Sequence, residues 1–120
     1  MMLGLATTVS LTMLQATINL PRDAFRDCLK QASSAAVSEK VIGDAFEAFA
    51  RGKCSVQADS LRKALVAFSL KNGMGKKAAA SDADLTVDDY VASPVEKYRV
   101  MNPDLDKPAA AAAAPSTPQQ

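Results

Sequence analysis

Val37-Ser38-Glu39-Lys40-Val41-Ile42-Gly43-Asp44-Ala45-Phe46-Glu47-Ala48-Phe49-Ala50-Arg51-Gly52 is the stretch whose reading decides the fold. Val41, Ile42, Ala45, Phe46, Phe49 and Ala50 recur at three- and four-residue spacing. That spacing gathers them on one face of an α-helix, whereas the two-residue period of a strand would scatter them over both faces. Ser38 is suited to cap this helix, with Glu39 in its positive first turn and Val37 packing on Ile42 as a hydrophobic staple. Gly52 stands where a helix commonly ends in a left-handed residue. Ile42, Phe46 and Phe49 are the candidate partner-binding apolar face, able to take a partner helix or a second copy.

The pattern extends on both sides. A helix is predicted over residues 21–33, with Pro21 in its first turn, where a missing N–H is tolerated. Ala24, Phe25, Cys28, Leu29 and Ala32 form its apolar face, and Asp23–Arg26 and Asp27–Lys30 are candidate surface pairs at i,i+3. Ser33-Ser34-Ala35-Ala36 reads as a connection. A third helix is predicted from Ser55, carrying Ala58, Leu61, Ala64, Leu65 and Phe68, and stopping at Asn72-Gly73. Beyond Gly75 the residues 76–83 suggest one or two further helical turns. Val87, Tyr90, Val91, Val95, Tyr98 and Val100 around Pro94 read as an extended arm over residues 88–101. Four prolines and six consecutive alanines within residues 103–120 make a low-complexity, disordered tail. The expectation is therefore an all-α fold: a small bundle of about three helices with an extended C-terminal arm. The organisation is a leader at 1–16, a helical domain at 17–101 and a tail at 102–120.

No charged side chain occurs in residues 1–21. Residues 2–14 have the length of a signal-peptide apolar region, and Leu14-Gln15-Ala16 offers a cleavage site. Periplasmic or secreted export is the expectation, although no Lys or Arg precedes the apolar run. An uncleaved leader anchoring the chain in the inner membrane, or a core helix of a cytosolic domain, are the other readings. Export bears on Cys28 and Cys54. A domain this small usually needs a staple, and a Cys28–Cys54 bridge would close a loop of about 27 residues, worth roughly 3–4 kcal/mol in the chain-entropy description. The bridge makes a demand on the fold. With a hairpin turning near Ala36, Cys28 lies about 13 Å from the turn and Cys54 roughly 25 Å, while bridged Cα atoms lie within ~7 Å.

Histidine is absent from the sequence, which sets aside Ser-His, Cys-His and His-metal chemistry. The two cysteines lack a CxxC spacing. No cofactor is expected. Asp82, Asp84, Asp88 and Asp89 alternate in part like a calcium loop, but Val87 and Ser93 occupy the positions that need glycine and glutamate. A net charge of +1 gives no overall field for nucleic acid, and none is expected as a partner. Arg62, Lys63, Lys71, Lys76 and Lys77 form a basic stretch without an intervening acid. It is a candidate contact for anionic lipid, or else is neutralised by the acidic run that follows.

Ala24-Phe25 with Cys28-Leu29, then residues 46–54, then Leu61 with Ala64-Leu65 and a later Asp89-Tyr90, resemble small exported two-cysteine helical proteins of Gram-negative bacteria. The resemblance covers residues 20–91 and implies an all-α fold without implying an activity. The functional expectation is a non-catalytic exported structural or protein-interaction module. The alternative is a membrane-tethered protein that contacts anionic lipid through residues 62–77.

Overall fold

A computed structural model describes the backbone over residues 6–106 and the side chains over residues 17–105. Residues 1–5 of the expected leader, and residues 107–120 where a disordered tail is expected, lie outside the described residues. The described residues are all-α, with four helices where about three were expected: α1 (Ala6–Ser38), α2 (Gly43–Lys53), α3 (Ser55–Lys71) and α4 (Lys76–Met101). A 3₁₀ turn, η1 (Pro103–Asp106), follows α4 and packs Leu105 on the core. Among the described residues, no helix is long and apolar enough to cross a membrane.

The first helix runs past both of its expected ends. Pro21 lies in its interior, and the supposed connection at 33–36 is helical. There the Ser33 hydroxyl donates to the Leu29 carbonyl at 3.1 Å, so its polar group is satisfied without leaving the helix. Ala32 and Ala36 are buried, and their small side chains let neighbouring backbones approach. The helix stops four residues later. Lys40 adopts φ 57°, Lys40 N–H donates to the Val37 carbonyl and Val41 N–H to the Ala36 carbonyl. That pair of bonds is a Schellman stop with a lysine at the position glycine usually fills. Ser38 therefore closes α1 and does not cap α2, whose N-cap is Ile42 with no side-chain cap. Gly52 remains inside α2, and the only glycine with positive φ among the described residues is Gly73.

Moving the turn removes the difficulty with the disulfide. From the Lys40 turn, Cys28 is about 15 Å down α1 and Cys54 about 16 Å down α2 at ~1.5 Å per residue. The two arms are level, and Cys28 and Cys54 are bridged with Cα atoms 5.8 Å apart. Cys54 also marks the junction of α2 and α3. Its N–H donates to the Ala50 carbonyl and its carbonyl accepts from Ala58 N–H. The helical bonding thus passes through the break, and α2 and α3 touch each other little beyond it.

The expected extended arm is the second half of the 26-residue helix α4. Ala79, Ala83, Val87, Val91 and Val95 are all buried and recur every four residues, with Tyr98 completing the stripe. β-branched residues and Pro94 argue locally for extended backbone, but burial of this stripe against three other helices outweighs those propensities. Gly75 caps the start of α4, after a second Schellman stop at Gly73 (φ 90°). Gly73 N–H donates to the Leu70 carbonyl and Met74 N–H to the Ser69 carbonyl.

Cross-helix contacts fix the directions. Residues Asp84, Asp88 and Arg99 along α4 meet Arg62, Arg51 and Asp44 in falling order, so α4 is antiparallel to α2 and α3. Tyr90 meets Phe25 edge-on at 6.4 Å, and Tyr98 lies near the far end of α1, so α4 is parallel to α1. The core joins Phe25, Leu29, Ala32 and Ala36 of α1 to Phe46 and Ala50 of α2, Leu61 of α3 and the α4 stripe.

Candidate functional site

Parallel α1 and α4 make fewer contacts with each other than either makes with α3. The space they leave is an open groove of about 620 Å³, a volume within the usual range of ligand pockets. Arg26, Leu29, Lys30, Ser33 and Val37 line one side, and their spacing of three and four residues is one stripe of α1. Tyr90, Pro94, Lys97, Tyr98 and Met101 form the matching stripe of α4, with Asp89, Ser93 and Asn102 at its margin. Leu29 and Tyr98 are buried and make the floor, whereas Val37 and Met101 are exposed at the open end beside the Lys40 turn. Pro94 has no N–H to give the Tyr90 carbonyl, so the helical bonding of α4 is interrupted along the groove wall.

The floor is held by aromatic contacts. Phe46 stacks on Tyr98 with ring centroids 4.2 Å apart and planes 5° from parallel. The Tyr98 hydroxyl donates to the Val41 carbonyl in the turn, which ties the end of α4 to the α1–α2 hairpin. With Ser33 bonded to Leu29, both of these groove hydroxyl protons are used within the fold.

The charge in the groove is uneven. Arg26, Lys30 and Lys97 line it with Asp89 as the one carboxylate. Elsewhere the arginines are spent on acids. Arg22 lies 4.0 Å from Asp23, Arg51 bonds Glu47 and Asp88, Arg62 bonds Asp59 and Asp84, and Arg99 bonds Asp44. Arg26 alone of the five arginines has no carboxylate partner within ion-pair distance among the described residues. Desolvation works against the charged form of Arg51, but hydrogen bonds and charge from Asp88 and Glu47 outweigh it and raise its pKa above the ordinary guanidinium value. A smaller cavity of about 200 Å³ lies by Phe25 and Val87 and has Arg51 and Arg62 at its rim. Both of its cations are already neutralised.

The residues singled out from sequence fall into different places. Of the basic stretch, Arg62 is held at 2.6 Å each by Asp59 of its own helix and by Asp84 of the acidic run. Lys63 is exposed on α3, while Lys71, Lys76 and Lys77 are exposed around the Gly73 turn. Of the apolar face, Phe46 is fully enclosed by its own chain and Phe49 is half-buried under Lys53, whose Nζ lies 5.4 Å from its ring. Of the three only Ile42 is exposed, at the N-cap of α2, while Phe46 packs in the core with Ala50. Asp82, Asp84, Asp88 and Asp89 lie on α4, a helix and not a calcium loop, and no acidic or cysteine cluster among the described residues is placed to hold a metal ion. The surface pairs expected on α1 do not form. Arg26 and Lys30 line the groove, while Arg22, one turn before Arg26, donates to Asn19 at 2.6 Å.

Sequence reasoning missed the groove. The signal was the stripe Arg26, Lys30, Ser33 and Val37 on one side and Tyr90, Pro94, Lys97 and Met101 on the other, two halves legible only once both segments are helices. No family model, curated protein or solved structure matches the chain.

Proposed function

We propose that this chain is a non-catalytic exported binding or structural module, working in the periplasm or outside the cell. The Cys28–Cys54 bridge is the observation that carries the reading. Cys54 is fully buried, and the bridge spans the two arms of the hairpin at the same height. Such a bond persists where thiols oxidise and is rare where glutathione keeps them reduced. The uncharged residues 1–16 fit a cleaved leader for the same route. Exposed Val37 and Met101 line the groove, Ile42 is exposed at the start of α2, and these supply the apolar surface of an interaction module. Fractionation of the producing cells, with thiol alkylation before lysis, tests the reading. The expected result is a periplasmic or secreted protein whose cysteines react only after reduction; a cytoplasmic protein with two reactive thiols contradicts it.

A second reading has support at the other end of the bundle. Exposed Lys71, Lys76 and Lys77 surround the half-exposed Leu70 and Met74 at the Gly73 turn. A basic rim around an apolar tip suits contact with an anionic lipid surface. Sedimentation with charged vesicles at low and high salt tests it, and salt-insensitive absence of binding removes it.

A further inference from the structure

We propose that the α1–α4 groove binds the carboxylate form of a single medium-chain fatty acid. This deepens the reading of a non-catalytic binding module by naming the ligand of its groove. Three properties meet there. The floor is apolar and about as long as a medium acyl chain: from Leu29 to Val37 α1 rises about 12 Å, and Tyr98 and Met101 continue the surface across from it. The groove is partly open to solvent, so a flexible chain enters without unfolding the bundle. Its cations outnumber its acids by three to one, and they carry the arginine that the rest of the fold leaves unpaired. Arg26 and Lys30 lie one helical turn apart on α1, and Lys97 approaches from α4. A guanidinium presents paired donors that match both oxygens of a carboxylate. The acyl chain then runs from that head over Tyr90 and Tyr98 toward the exposed Val37 and Met101.

An ordinary surface would not combine these features. Exposed lysines are usually solvated, and an isolated apolar groove is common on small bundles. Here they are juxtaposed, and with them Arg26, the one arginine with no carboxylate within 4.0 Å among the described residues.

The test follows from composition. The chain has no tryptophan, and both of its tyrosines, Tyr90 and Tyr98, line the groove. Tyrosine fluorescence of the full oxidised chain therefore reports ligand entry directly. Saturated fatty acids of increasing length, below their aggregation limit, are titrated beside the primary alcohols of equal length. Saturable binding of one fatty acid per chain is expected, tightening by about fourfold for each added methylene until the groove is filled. The alcohols and the Arg26→Gln/Lys97→Gln variant are expected to bind about tenfold or more weakly, the usual effect of losing charged hydrogen bonds. Lys63→Gln, on α3 away from the groove, should bind as the unaltered chain does. Ser93→Trp fills the groove and should abolish binding by calorimetry, while circular dichroism confirms that it remains folded.

Equal affinity for acid and alcohol, absence of saturable binding, or binding indifferent to Arg26→Gln/Lys97→Gln each overturn the proposal. The proposed function fails separately. If the thiols prove oxidised and the protein exported while no fatty acid binds, only this inference falls. If the thiols prove free in the cytoplasm, the export reading falls, and the fluorescence titration still decides the groove.

Discussion

Removing the bridge is the most informative single perturbation of this fold. The disulfide joins residues separated by 26 positions, and closing a loop of that size withdraws about 3.5 kcal/mol of chain entropy from the unfolded state. Packing of Phe25, Leu29, Phe46 and Ala50 holds the same hairpin, so the α1–α2 arrangement itself survives reduction. The effect is on stability more than on structure. A domain of 60–100 residues shifts its melting point by about 4–8 °C per kcal/mol, so the Cys28→Ala/Cys54→Ala chain should melt roughly 15–25 °C below the oxidised one. Because Cys54 is fully buried, its truncation adds a small void, which places the expected shift toward the upper part of that interval. Thermal melts followed by far-ultraviolet circular dichroism give the number, and reduction of the unaltered chain supplies an independent value without the void. Melting points agreeing within a few degrees across the three forms would refute the reasoning, because the loop would then contribute nothing to the unfolded ensemble.

Other substitutions probe the remaining features. Tyr98→Phe removes the donor to the Val41 carbonyl while keeping the ring on Phe46, and should destabilise by about 1–2 kcal/mol in denaturant titration. Lys40→Gly and Gly73→Ala form an opposed pair at the two left-handed stops: the first should stabilise and the second destabilise, each by about 1 kcal/mol. A Cβ at Gly73 meets nothing within 4 Å, so its effect isolates the backbone conformation. Arg62→Ala breaks two half-exposed ion pairs and should change stability by about 1 kcal/mol or less. Pro94→Ala restores a donor to the α4 bonding and should raise the melting point, with a gain of up to about 3 kcal/mol.

How much of this was legible in the chain depended on whether a local signal agreed with the tertiary one. Helix α3 was readable at both ends, because Ser55 begins it and Asn72-Gly73 stops it with the residue a left-handed position favours. The apolar face of Phe25, Leu29 and Ala32 was readable from spacing. The end of α1 was not: Ser33 and Ser34 imitate a connection, while the real stop is at Lys40, a residue type that carries no turn signal. That four-residue shift moved the start of α2 and left the cysteines seemingly out of register. In α4 the four-residue recurrence of Ala79, Ala83, Val87, Val91 and Val95 was present, but valines and Pro94 pointed locally to extended backbone. The groove could not be read at all, because Arg26 and Lys97 come to line one groove only after two distant segments pack side by side.

Intact-mass measurement on the chain isolated from its host without reductant bears most directly on the central claim, that this bundle matures where its two sulfurs are oxidised. The account predicts a species that has lost residues 1–16 and is lighter by two hydrogens than its reduced form. A species that keeps Met1 and gains no mass on reduction would contradict it.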